Sequence, residues 1–97
     1  MRVVWTYAAR AQVQGIYDYV AADSVGFAKR LVDRIIRRSE QLVNHPESGA
    51  IVSEYNSPQV RELFEGPYRI IYCVRVDRLD VIAVIHGARL LPEIPPQ

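Results

Sequence analysis

Cysteine is all but missing from this chain: Cys73 stands alone. With no partner it forms no internal disulfide, which excludes a disulfide-stapled scaffold, and burial inside a strand would make it inert. Histidine is limited to His45 and His86. With one cysteine beside them, these cannot make the four-ligand sets of structural zinc sites. Lysine is reduced to Lys29, so eleven of the twelve basic residues are arginine. Arginine offers planar, two-pronged contacts to phosphate or carboxylate, although a GC-rich genome produces the same skew. Long apolar runs are absent as well. Nothing approaches the roughly 20 residues of a membrane span, and the opening MRVVWTYAAR is too short an apolar run for a signal peptide, so a cytoplasmic location is expected. No glycine-rich phosphate loop precedes a helix and no serine sits in a nucleophile elbow. No cofactor and no metal are expected.

What remains is 97 residues, 49% apolar and 24% charged, with a formal charge of +1. That is enough for one domain around one modest core. The chain is organised around the stretch 66–89, GPYRIIYCVRVDRLDVIAVIHGAR. Two β-branched and aromatic runs flank a polar break at Asp77-Arg78, the pattern of a β-hairpin. Alternation puts Tyr68, Ile70, Tyr72, Val74 and Val76 on one face, and Arg69, Ile71, Cys73 and Arg75 on the other. The first face reads as core and the second as half polar.

Upstream, Val3 to Thr6 is a short strand candidate containing Trp5. From Ala8 the period becomes helical, with Ala9, Val13, Ile16 and Val20 on one stripe and Thr6 as the N-cap. Gly15 weakens this helix by about 1 kcal/mol relative to alanine, which suggests a close helix crossing there. A second helix, capped by Asp23 or Ser24, runs to about Val43. Its apolar face is Phe27, Ala28, Leu31, Val32, Ile35, Leu42 and Val43, and Arg30, Arg34, Arg37 and Arg38 form a basic ridge on the opposite side. That ridge is either a solvated helix face or a dock for an acidic partner. The stretch 44–49 (NHPESG) ends the helices, 51–57 reads as ragged extended chain, and Val60–Phe64 is a strand leading into the hairpin. The prolines of LLPEIPPQ leave an extended tail. The order β-α-α-β-β-β makes an α+β two-layer sandwich, with an antiparallel helical hairpin on one face of a mainly antiparallel sheet. On this reading the helices cover only that face, and the other is left for water or a partner.

The candidate chemistry is cationic. Arg61, Arg69, Arg75, His86 and Arg89 all fall in the sheet, with Arg69, His86 and Arg89 at one end of the hairpin. Such a group can bind a phosphodiester and stabilise charge during phosphoryl transfer, with His86 as acid or base. Arg61, Arg75 and His86 also have plainer roles: Arg61 beside Glu62 and Glu65, Arg75 and Arg78 with Asp77 and Asp80, and His86 as a strand-end residue. Arg69, between Tyr68 and Tyr72, has no acid beside it in sequence.

Taken together, several pieces in this order resemble the RelE/ParE superfamily of bacterial toxins. They are Trp5 and the alanines after it, 16–20 in the first helix, Leu42, Pro46 and Gly49 at the helix exit, Arg61-Glu62-Leu63, Tyr68-Arg69-Ile70-Ile71-Tyr72, and His86-Gly87-Ala88-Arg89. The resemblance implies the fold above and the toxin component of a type II toxin–antitoxin module. For ribosome-dependent RelE-like nucleases of mRNA it aligns Arg69 and Arg89 with two family arginines and sets Arg61 near a family lysine. A second lysine and a C-terminal tyrosine have no counterpart. The HGAR ending is more similar to the ParE branch, whose members poison DNA gyrase. The resemblance also implies a cognate antitoxin, held in a hetero-oligomer with the toxin, for which Arg30, Arg34, Arg37, Arg38, Arg69 and Arg89 are the expected contacts.

Overall fold

The computed structural model describes residues 1–87. The expectations placed on Arg89 and on the tail lie outside that range. The elements are β1 (Arg2–Trp5), α1 (Tyr7–Ala21), α2 (Val25–Gln41), β2 (Ala50–Ile51), β3 (Val60–Glu65), β4 (Tyr68–Val74) and β5 (Arg78–His86). Two helices thus pack against a five-stranded mixed sheet of order β1-β5-β4-β3-β2, the expected α+β fold. Among the described strands, β1 and β5 run parallel and the other pairs antiparallel.

Thr6 converts strand into helix. Its amide donates to the Val81 carbonyl at 3.1 Å, prolonging the β1 pairing. Its hydroxyl accepts the Ala9 amide at 3.1 Å, satisfying one of the unpaired donors at the start of α1. Ser24 caps α2 in the same way through the Phe27 amide. Ala28, Leu31 and Ile35 of α2, with Leu42 just beyond it, then meet Ala9 of α1 and Ile70, Tyr72, Leu79, Val81 and Val84 of the sheet in the main core. No close crossing accounts for Gly15, since a Cβ there would find no atom within 4 Å.

The sheet departs from strict alternation once. Tyr72 lies opposite Val81 while Ile71 lies opposite Ala83, so Ile82 is the extra residue of a β-bulge. Three residues apart, Val81 and Val84 would otherwise face opposite sides. The bulge lets both point at the helices. The β3–β4 hairpin closes through Gly66, whose φ of 56° is the left-handed conformation that the first position of a tight hairpin turn requires.

The face away from the helices is not open, contrary to the expectation from sequence. Ile71, Cys73, Ile82, Ala83 and Ile85 are buried there with Val52 and Val60, and Tyr55 packs against them. The cover is the chain between β2 and β3. Of the stretch 51–57 expected to be ragged extended chain, only Ile51 is strand, pairing with β3 together with Ala50 just before it; the rest turns back across the apolar row. A sheet with apolar residues on both sides must bury both, which is why those residues read as near-continuous hydrophobic runs.

Side chains satisfy two sheet backbone groups that the short edge strands leave unpaired. Beyond the end of β1, the Val84 amide donates to Gln12 Oε1 at 2.8 Å, and beyond β2, the Phe64 carbonyl accepts from Arg38 Nη2 at 3.3 Å. Such plugs discourage strand addition where the backbone would otherwise be unpaired.

Candidate functional site

Arg69 is the cation about which the structure says most. Alternation sends it to the face away from the helices, where it is only 7% exposed. There Nε donates to Glu62 Oε1 at 2.6 Å, while Nη1 and Nη2 donate to the two oxygens of Glu54 at 2.9 and 3.2 Å. One guanidinium therefore serves two carboxylates, Glu54 in the two-pronged geometry that makes such pairs strong. Glu62 shares the Arg69 face because Phe64 is paired with Arg69 and Glu62 lies two residues along β3. The two acids push Arg69 above its ordinary value, Glu54 more than Glu62. In return the Arg69 hydrogen bonds, helped by one from its own backbone, hold Glu54 at about 2.

That shift carries a pH dependence. Because the folded value of Glu54 lies below the ordinary 4.5, its pair with Arg69 stabilises fully above about pH 4.5 and is lost as pH falls through about 2. The Glu54 side chain is 40% exposed, so the contribution is expected to be about 1 kcal/mol. Urea midpoints of the wild type and Glu54→Gln should differ at pH 6 and converge near pH 2. Parallel curves would mean that the pair contributes nothing.

Among the described residues the other candidate cations do not assemble around Arg69. His86 is opposite Tyr68 in the register and lies on the helix side, its ring 5.8 Å from that of Tyr68 and nearly perpendicular. Arg69 and His86 thus share an end of the hairpin, as expected, but the sheet separates their side chains. Arg61 also faces the helix side, and it pairs with neither Glu62 nor Glu65. Its Nη1 donates to the carbonyls of Glu47 and Gly49 at 3.3 and 3.0 Å, fixing the loop that leaves α2. Arg75 and Arg78 both bind Asp80, at 3.1 and 2.8 Å, the ion-pair role open to them at the hairpin turn. Among the described residues no group of three or more His, Cys, Asp and Glu side chains is placed to hold a metal ion.

The basic ridge of α2 divides. Arg34 and Arg38 reach the Glu65 carboxylate at 3.3 and 3.9 Å, and the Arg34 guanidinium lies over the Phe27 ring at 6.0 Å. Arg30 and Arg37 are exposed.

One surface was not read from the sequence. Trp5, at the end of β1, forms with Arg10, Val13 and Tyr17 of α1 and Val32 and Ile36 of α2 a largely apolar groove of about 520 Å³. It adjoins β1, the outermost strand on that side of the sheet. The signal for it was the i, i+4 pairs Val13/Tyr17 and Val32/Ile36, which widen the apolar stripe of each helix beyond what the core uses. The groove is shaped to receive an apolar segment and carries Arg10 as a polar contact.

A helical hairpin laid on one face of a small five-stranded mixed sheet is the build that the resemblance to toxins of toxin–antitoxin modules implies. The solved structure titled "Chromosomal ParDE TA system from P. aeruginosa" has this fold. It superposes with a TM-score of 0.73 over 89% of this chain and 95% of that one, at 25% identity. In sequence the chain is 32% identical over 90 residues to toxin RelE2 of Caulobacter vibrioides, covering 92% of this chain and 98% of the relative. The family model of the ParE toxin of type II toxin–antitoxin systems, parDE, matches residues 3–91. The chain belongs to the ParE toxin family.

No helix among the described residues is long and apolar enough to cross a membrane.

Proposed function

We propose that this protein is a ParE-type toxin that acts by binding, with DNA gyrase as its target, and that a cognate antitoxin neutralises it. The observation that carries the binding reading is the state of Arg69. The residue that the resemblance aligns with a nuclease arginine has both sides of its guanidinium occupied by Glu54 and Glu62. His86, the candidate acid or base, is on the other side of the sheet against Tyr68. Charge stabilisation and proton transfer at a phosphodiester need donors converging on one point. These two groups do not converge, which disfavours mRNA cleavage.

The antitoxin is assigned to the groove lined by Trp5, Val13, Tyr17, Val32 and Ile36. Its acidic residues meet Arg10 and the outer face of α2, where Arg30 and Arg37 are exposed and Arg34 and Arg38 are shared with Glu65. Burial removes Arg69 from that set.

The test is a supercoiling assay with purified protein, gyrase, ATP and relaxed plasmid. Lost supercoiling or trapped linear DNA at stoichiometric protein, reversed by the product of the neighbouring small reading frame, is the expected result. Untouched gyrase, together with cleavage of mRNA on ribosomes, would overturn the reading.

A further inference from the structure

The segment 52–59 lies across the apolar face away from the helices on few attachments. Val52 is buried and Tyr55 partly so. At its ends Val52 N–H donates to the Val60 carbonyl at 3.1 Å, and the Gln59 carbonyl accepts from Val74 N–H at 2.8 Å. Val60 N–H of β3 also donates to the Ser57 carbonyl at 3.1 Å, and within the segment Tyr55 N–H donates to the Val52 carbonyl at 3.2 Å, beside a turn at Asn56 with φ of 50°. Its side-chain tie to the sheet is the two-pronged pair of Glu54 with Arg69. Against this works the Tyr55 hydroxyl, which is buried and has no hydrogen-bond partner. A buried hydroxyl without a partner penalises the closed arrangement and is relieved when water reaches it.

We propose that 52–59 is a strap that opens as a unit while the helices and the β4–β5 ladder stay folded, with Glu54–Arg69 as its latch and the Tyr55 hydroxyl as a built-in opposing term. Local opening of this kind is expected where few apolar contacts, one side-chain ion pair and a few backbone bonds near its ends hold a segment. Opening uncovers Ile71, Ile82, Ala83 and Ile85 and leaves Arg69 with Glu62 alone, facing solvent. The resting surface, on which Arg69 is hidden, and the open surface, on which an apolar row sits beside a half-paired arginine, are then two states of one molecule. The inference does not depend on what the toxin binds.

Native-state hydrogen exchange of the free protein tests it, read at the amides of Val52 and Tyr55 against those of the β4–β5 ladder, with labelling of Cys73 by a thiol reagent alongside. Cys73 belongs to the apolar cluster beneath the strap and is 8% exposed. The two amides and the thiol should react well before the ladder exchanges, with a weaker denaturant dependence than the ladder shows. Glu54→Gln should speed them about tenfold, and Tyr55→Phe should slow them by about fivefold. The proposal is overturned if either amide or the thiol reports only the opening seen at the ladder, or if Tyr55→Phe accelerates them.

Discussion

Arg69→Ala is expected to destabilise the protein by about 3 kcal/mol, the low end of what removing one partner of a buried ion pair does. The direction follows from what is left behind. Glu62, whose side chain is 12% exposed, would keep a charge in the sheet with its cation gone, and Glu54, 40% exposed, would turn to water. The first effect is large and the second small, so the loss is set mainly by Glu62. In urea unfolding the midpoint should fall without a change of slope, and melting should drop by roughly 15 °C. Adding Glu62→Gln should recover part of the loss, because a neutral amide can be left buried at lower penalty than a carboxylate. A change below 1 kcal/mol for the single variant would mean that the pair is only a surface ornament. The result also bears on function. If Arg69→Ala abolishes toxicity while urea midpoints show a large loss of stability, the arginine is a folding residue. If toxicity disappears with the midpoint unchanged, the binding reading of Arg69 returns.

The same residue shows how far the sequence was legible. Alternation along 68–76 placed Arg69 opposite the core side, and the hairpin placed it at the end shared with His86; both are local consequences of a period of two. Pairing with Glu62 was also within reach, since the Gly66-Pro67 turn fixes the β3–β4 register and carries Glu62 onto the same face. Glu54 was not within reach. It sits in a loop without periodicity, and nothing short of the folded chain says that 52–59 crosses the sheet. Missing that crossing produced the expectation of an open face. The near-continuous apolar run 81–85 was the available warning, because a strand with one wet face alternates and this one does not. The caps at Thr6 and Ser24 needed only sequence, since their partners lie three residues away; the period of α2 likewise gave Ala28, Leu31, Ile35 and Leu42 as core, but Phe27, expected on the same face, is exposed. The groove beside Trp5 joins three elements, and pattern alone could not assemble it.

The second large effect is expected at Gly49, a position whose chemistry is plain and whose constraint is steric. Its amide donates to the Tyr72 hydroxyl at 2.9 Å, and that hydroxyl donates in turn to the Pro46 carbonyl at 2.8 Å. Tyr72 is wholly buried in the main core. A Cβ at Gly49 would come within 2.5 Å of the Tyr72 oxygen, 2.7 Å of the Glu62 carbonyl and 2.9 Å of the Tyr72 ring. The ring is held by the core and the carbonyl belongs to β3, so neither yields cheaply. Gly49→Ala is therefore expected to lose about 3 kcal/mol, overpacking and weakened hydrogen bonds together. Tyr72→Phe should lose less, about 1–2 kcal/mol, because it strands two polar groups but adds no volume. Combined, the two should be less than additive, since removing the hydroxyl removes the closest clash. Urea unfolding of the four proteins measures this directly, and strict additivity would show that the clash is relieved elsewhere. Gly49 is buried and does not line the groove proposed for the antitoxin, so on that proposal the folded fraction of the variant should still bind it. Binding to the native state alone then raises its apparent stability by mass action, and the melting temperature of Gly49→Ala should rise on complex formation while its deficit in free form persists.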